Sequence, residues 1–186
     1  MKVLYFDTET TGLNPFVNEI FQFAAIVEID GEVKEEVNLK CRPLNTGAIE
    51  QSALDVTGMT LEKLNAFPPP HLMVGEIQAL FDRHIDKYDK TDKFYPCGHN
   101  VVFDLNFLNN LFMKNGQKYG TGSYQNWRAL DTRVMANLAC FDGKLDVENV
   151  KLETLCKHFG IEIQAHDALS DIRATRELFF KLRGLK

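Results

Sequence analysis

The stretch Val3-Leu4-Tyr5-Phe6-Asp7-Thr8-Glu9-Thr10-Thr11-Gly12 decides how the chain is read. A continuous apolar run rich in strand formers, closed by a polar run and a glycine, describes a central strand buried on both faces. Side chains alternate along a strand, so Asp7 and Glu9, two apart at its end, project from the same face. Two carboxylates on one face can begin a cation site, although an isolated D-x-E is more often an ordinary polar strand end that meets solvent.

Outward from this strand, Ile20 to Ile29 and Val33 to Cys41 surround Asp30-Gly31, the signature of a hairpin. Short apolar repeats between Ile49 and Leu64, punctuated by Thr57-Gly58 and Thr60, predict two short helices, and Pro68-Pro69-Pro70 then stiffens the chain. The stripe Leu72, Ile77, Leu80, Phe81, His84 and Ile85 predicts a helix from His71 to Tyr88. Within it Gln78-Ala79-Leu80-Phe81 faintly resembles a sliding-clamp peptide, but Leu80 and Phe81 belong to the helix's own apolar stripe. Phe94 to Cys97 is a short fourth strand. Asn100 is placed to cap a helix from Val101 to Met113, with Gly116 just beyond its end. Residues 116 to 127 form a loop with glycines and aromatics. Leu130 to Leu138, Leu152 to Phe159 (closed by Gly160) and Asp167 to Leu182 read as three more helices, and Ile161 to Ile163 as a brief strand. Strands followed by helices in this order predict an α/β fold in one domain, a mixed sheet with helices on it.

The 186 residues, 45% hydrophobic and 25% charged, suffice for one real core. A net charge of -5 gives no general affinity for phosphate backbones, so any nucleic-acid role must come from local features. Cys41, Cys97, Cys140 and Cys156 lack paired spacing, which fits small core side chains in a reducing compartment. The apolar run after Met1 is too short for a secretory segment, and no stretch approaches the ~18 apolar residues of a membrane span. A cytoplasmic location and no membrane partner are expected.

Two further segments carry chemistry. In Gly98-His99-Asn100-Val101-Val102-Phe103-Asp104-Leu105-Asn106-Phe107-Leu108, Asp104 falls in the first turns of an apolar helix with Val101, Leu108 and Leu111 as helical neighbours. A carboxylate so placed faces the interior, where an unpaired charge costs several kcal/mol unless a cation or a helix N-terminus offsets it. In His166-Asp167-Ala168-Leu169-Ser170-Asp171-Ile172-Arg173-Ala174-Thr175, Asp167 is placed to cap the last helix. Asp171 shares a face with the small residues Ala168, Ala174 and Thr175 and with Leu178, which lets that helix press on the sheet near the end of the first strand. His166 precedes the helix; alone it reads as an ordinary exposed histidine, as do His71, His84 and His158. Together the segments assemble carboxylates and one histidine at element ends. Hard carboxylate oxygens suit Mg²⁺ or Mn²⁺, and the absence of paired Cys/His ligands argues against structural zinc.

At Asp7-Thr8-Glu9-Thr10-Thr11-Gly12, Gly98-His99-Asn100 with Phe103-Asp104, and His166-Asp167-Ala168 with Asp171, the sequence resembles the DEDDh, or DnaQ-like, 3′-5′ exonuclease superfamily. The resemblance spans nearly the whole chain. Within the superfamily, Thr10 to Leu13 and the segment Ser52-Ala53-Leu54 with Thr57-Gly58-Met59-Thr60 are most similar to the epsilon proofreading subunits of bacterial DNA polymerase III.

The resemblance implies an RNase H-like fold with a five-stranded mixed sheet, residues 1–186 forming a single 3′-5′ exonuclease domain. It implies two divalent ions, Mg²⁺ or Mn²⁺, held by Asp7, Glu9, Asp104 and Asp171, with Asp7 bridging and His166 as general base. His99 and Asn100 are then expected near the backbone of the terminal nucleotides, and Thr11, Gly12, Leu13 and Phe103 around the 3′-terminal base. The implied substrate is the terminal phosphodiester of single-stranded or frayed DNA 3′ ends, with proofreading and a replicative DNA polymerase as partner. An exoribonuclease of the same architecture, or an idle module that binds nucleic acid or a polymerase, are the competing readings.

Asp131-Thr132 also resembles a family feature and is read here as a helix cap. Tyr119, Tyr124, Trp127 and Arg128 either stack unpaired bases or pack beneath their loop. Arg173, Arg176, Lys181, Arg183 and Lys186 make the last helix basic, as a solvated face or a phosphate contact.

Overall fold

A computed structural model describes residues 1–164 and 167–185. The chain opens with strands β1 (Lys2–Thr10), β2 (Ile20–Ile29) and β3 (Glu32–Lys40), joined as an antiparallel meander. Asp30 and Gly31 both take positive φ, at 53° and 88°, the turn that matches the twist of a tight hairpin. Helices α1 (Gln51–Thr57), α2 (Leu61–Asn65) and α3 (Pro70–His84) follow, then β4 (Tyr95–Gly98), α4 (Val101–Lys114), β5 (Leu130–Asp131), α5 (Thr132–Phe141), α6 (Leu152–Phe159) and α7 (Ala168–Arg183). The sheet order is β3-β2-β1-β4-β5, with β4 parallel to both β1 and β5. The residue pattern predicts the mixed sheet with its flanking helices, and the resemblance implies its five strands.

Strand alternation sorts β1 between two layers. Leu4 and Phe6 join Phe23, Ala25 and Val27 of β2 in a core with Ile77, Leu80 and Phe81 of α3 and Leu108 and Phe112 of α4. Val3 and Tyr5 face the other way, with Ala24, Ile26 and Cys97, against Ala168, Ile172 and Phe179 of α7. Behind α7, Ala174, Leu178 and Leu182 pack with Ala136 of α5 and Leu155 and Cys156 of α6. The face of α7 expected to hold Ala168, Ala174, Thr175 and Leu178 together is therefore divided, Ala168 toward the sheet and Ala174 and Leu178 toward α5 and α6.

Several expectations are corrected. Leu130 and Asp131 form the fifth strand, not the start of a helix, because Leu130 pairs beside Cys97 and Asp131 beside Gly98. Residues 161 to 163 form no strand; Ile161 instead turns inward to the α5–α6–α7 core. Helix α3 ends at His84, where Ile85 turns to an extended conformation and packs in the core. Leu80 and Phe81 are fully buried, so the clamp-like segment is core. Tyr124 is also buried and its hydroxyl donates to Asp82 at 2.8 Å, whereas Tyr119 and Trp127 stand out in solvent. On α7, Arg176 pairs with buried Glu28 at 2.6 Å and Arg173 pairs with Glu36, so both cations are spent on the sheet. Cys41, Cys97 and Cys156 are buried free thiols. Among the described residues, no helix is long and apolar enough to cross a membrane.

Phe81 contacts the rings of Phe94, Phe112 and Tyr124 and so ties α3 to β4, α4 and the loop before β5. Phe81→Ala is expected to destabilise the fold by about 3–5 kcal/mol in urea unfolding, and a loss under about 1 kcal/mol would contradict this packing.

Candidate active site

The site is built where β1 ends. Its odd-numbered side chains face α7, so Asp7 and Glu9 meet Asp171 from the first turn of that helix. One carboxylate oxygen from each of Asp7, Glu9 and Asp171 lies within 4.8 Å of the others. Thr8 points to the opposite layer, where it meets Asp104 on α4. The buried Asp104 Oδ1 accepts the Thr8 backbone N–H at 3.0 Å and the Thr8 hydroxyl at 2.7 Å. The four acidic groups named in the sequence thus gather at one strand end, three from the α7 side and the fourth held from the α4 side by Thr8.

Burial and mutual repulsion act on them together. Asp7 is pushed well above the usual carboxylate range, first by burial and then by Asp104, Glu9 and Asp171. Burial, with Asp171 and Asp104, raises Glu9 to about 7. Asp104 is raised to about 7 by burial, against the opposing effect of the two Thr8 hydrogen bonds. Concentrated negative charge of this kind is relieved either by protons or by a hard cation, and an all-oxygen donor set of carboxylates fits Mg²⁺ or Mn²⁺.

The approach of α7 is fixed by its cap. Asp167 accepts the Ser170 N–H at 3.1 Å, as the sequence predicts, and its other oxygen accepts from Gln22 Nε2 at 3.1 Å. Gln22 is paired with Glu9 across β1 and β2, so the cap is fastened beside the carboxylates. Sequence reasoning passed over Gln22, although a glutamine inside the apolar run of β2 was the signal for it. Thr8 was also missed; the alternation that joins Asp7 to Glu9 assigns Thr8 to the other face. His166 lies outside the described residues.

Asp131 does more than cap its own helix. Its Oδ1 accepts from Arg133 N at 2.9 Å and from Asn100 N at 3.0 Å, and its Oδ2 from Val101 N at 3.1 Å. One carboxylate therefore closes the N-termini of α4 and α5. Asn100, expected to cap α4 with its side chain, makes no such hydrogen bond and sits instead at φ 70°, φ/ψ left-handed, where the chain turns into the helix. His99 is held on both sides, Nε2 donating to the Val150 carbonyl at 3.0 Å and Nδ1 meeting Thr132 Oγ1 at 2.9 Å. Burial lowers its pKa, which keeps the ring neutral.

Two depressions flank the carboxylates. A cleft of about 350 Å³ is lined by Glu9, Gly12, Leu13, Val56 and Phe103. Gly12 is required there because a Cβ would collide with Asn18 and Glu50. Thr11 does not line the cleft; it is buried and its hydroxyl accepts from Glu19 N at 2.9 Å, bracing the loop behind. A second groove of about 720 Å³ runs past Asp171, His99 and Asn100 to the starts of α5 and α6. Glu9 lines the first and Asp171 the second, so the carboxylate cluster lies between the two.

A sequence profile described as that of an exonuclease matches residues 4–179. The PolC-type DNA polymerase III of Oceanobacillus iheyensis is 29% identical over 178 residues, 95% of this chain and 11% of the polymerase. Ribonuclease T of Buchnera aphidicola subsp. Baizongia pistaciae is 27% identical, over 95% of this chain and 81% of that protein. The crystal structure of Escherichia coli exonuclease I with a dT13 oligonucleotide superposes with a TM-score of 0.81 at 26% identity, over 99% of this chain and 41% of that one. The chain spans well under half the length of the PolC-type and exonuclease I relatives. With an RNase H-like sheet, the acidic strand end and a profile match over nearly its whole length, the chain belongs to the DnaQ-like exonuclease family.

Proposed function

We propose that this chain is a metal-dependent 3′-5′ exonuclease that removes nucleotides from single-stranded or frayed DNA 3′ ends. The observation that carries the reading is the convergence of Asp7, Glu9 and Asp171 oxygens within 4.8 Å, beside a cleft of a size to receive a terminal nucleoside. Asp7, Glu9, Asp104 and Asp171 would hold two divalent ions, Mg²⁺ or Mn²⁺. Such ions, when bound, supply a water acidic enough to act as nucleophile at neutral pH and neutralise charge on the phosphate.

The remaining work falls to the protein's own groups. Gly12, Leu13 and Phe103 seat the terminal base, with Leu13 exposed for contact. Thr8 keeps Asp104 turned to the strand end. His166, which follows from the family motif, takes the proton of the attacking water on an imidazole nitrogen. The Gln22 and Ser170 bonds to Asp167 fix the chain immediately after that histidine. Association with a replicative polymerase is supported by the PolC-type similarity. A second reading, an exoribonuclease, is supported by the similarity to ribonuclease T over 95% of this chain. The two differ in whether the sugar site accepts a 2′-OH.

Digestion of matched 5′-labelled DNA and RNA oligonucleotides is expected to give a ladder shortening from the 3′ end with Mg²⁺ or Mn²⁺ and none with EDTA, DNA being cut faster. Asp7→Ala and Asp171→Ala should abolish the ladder, and His166→Ala should slow it by roughly 10²–10⁴. A parent protein that is folded yet cuts neither polymer refutes the reading, and faster RNA cleavage moves it to the exoribonuclease.

The charge at the site also sets a pH dependence. Without divalent ions the folded protein protonates Glu9 and Asp104 near 7, whereas unfolded carboxyls do so near ~4. Between these values the folded state binds more protons, so stability falls as pH rises through this window. The melting temperature in EDTA should therefore be higher at a pH of about 6 than about 8, and added Mn²⁺ should raise it more at the higher pH. Asp7→Asn should shrink both effects; a melting temperature indifferent to pH and to metal would rule out this account of the strand end.

A further inference from the structure

The second groove adjoins the cleavage site at Asp171, but its far wall takes no part in the cleavage described above. It begins at Asp171 and ends between Arg133 in the first turn of α5 and Lys151 at the start of α6. In a chain of net charge -5, cations facing a groove are not a background feature. Elsewhere sheet acids occupy Arg173 and Arg176 of α7, but Arg133 and Lys151 are both exposed and, among the described residues, no ion pair or side-chain hydrogen bond commits either of them. Lys151 stands at the N-cap of α6, where a side chain usually accepts from the helix; an ammonium has no lone pair for that task. The Arg133 backbone N–H is fastened to Asp131, which fixes the root of its side chain at the groove wall. Asp171 and Glu153 are the acidic lining residues, and Asp171 belongs to the carboxylate cluster itself.

The cleft for the terminal base is bordered by Glu9 and this groove by Asp171, so the carboxylates lie between them. A strand whose last base fills the cleft and whose last phosphodiester lies over the carboxylates meets the groove next, at Asp171. We propose that the groove is a backbone subsite for the phosphodiesters on the 5′ side of the cleaved bond, with Arg133 and Lys151 contacting two of them. The subsite presupposes the exonuclease reading for its polarity, but its affinity for single strands is independent of turnover. Because the contacts are to phosphate, they favour no base sequence.

The test is fluorescence anisotropy of a short 5′-labelled oligodeoxythymidylate across a salt series, with Ca²⁺ replacing Mg²⁺. Arg133→Gln/Lys151→Gln is compared with the parent and with Lys181→Gln/Arg183→Gln, which removes the same charge about 15 Å along α7 from Asp171. The groove variant is expected to bind roughly tenfold more weakly, and its log K against log salt should flatten by about 1.4, at ~0.7 per phosphate of a single strand. The control variant should keep the parent's slope. Equal slopes in all three proteins, an equal loss in the control, or a parent that binds no oligonucleotide would overturn the subsite. If the slope flattens as expected while the parent cuts no nucleic acid, the groove stands and the exonuclease reading falls.

Discussion

The structure is organised around the repulsion between carboxylates at the end of β1. Asp7, Glu9 and Asp171 share a space a few ångströms across, Asp104 lies behind them, and burial removes most of the water that would screen them. A fold that only needed stability would place apolar groups there. Instead the surrounding hydrogen bonds hold the acids in place: Thr8 on Asp104, and Gln22 and Ser170 on Asp167. Each donor is anchored in a regular element, so the acids are kept close by the sheet and its flanking helices and not by attraction among themselves.

This arrangement explains why both faces of the sheet matter to one site. Successive residues of β1 belong alternately to the α7 layer and the α3/α4 layer, so Asp7-Thr8-Glu9 reaches into both within three positions. The site sits where the two layers meet at the open edge of the strand. Helices supply one carboxylate from each layer, which lets the distance across the site be set by how closely α4 and α7 approach the sheet. Small Ala168 on α7 and the Thr8–Asp104 bonds on α4 set those approaches.

Most of this was legible in the residue pattern. The apolar run before Asp7, the Asp30-Gly31 turn, Gly160 after α6 and Asp167 before α7 each carry a local signal with a single physical meaning, and the structure follows them. What escaped depended on distant pairing. Leu130-Asp131 is too short to show strand periodicity, and only its parallel pairing with β4 makes it β5. Asn100 looks like a cap, but the carboxylate that closes α4 lies about thirty residues later, at Asp131. Arg173 and Arg176 look like a basic face until β2 and β3 supply Glu28 and Glu36. Among the site residues, the carboxylates could be named from order and spacing, whereas the donors that hold them, Thr8 and Gln22, acquire meaning only once strand faces and register are known.

The shared cap at Asp131 carries a consequence for how the molecule opens. Amides of Asn100, Val101 and Arg133 all end on one carboxylate, so the first turns of α4 and α5 cannot fray independently without stranding donors of the other. These amides should behave as one cooperative unit in hydrogen–deuterium exchange, slower than the lone first turn of a surface helix and released together. The wall of the long groove and the root of Asp104 would then loosen in the same event, joining the part of the molecule that would guide a strand to the part that would cut it.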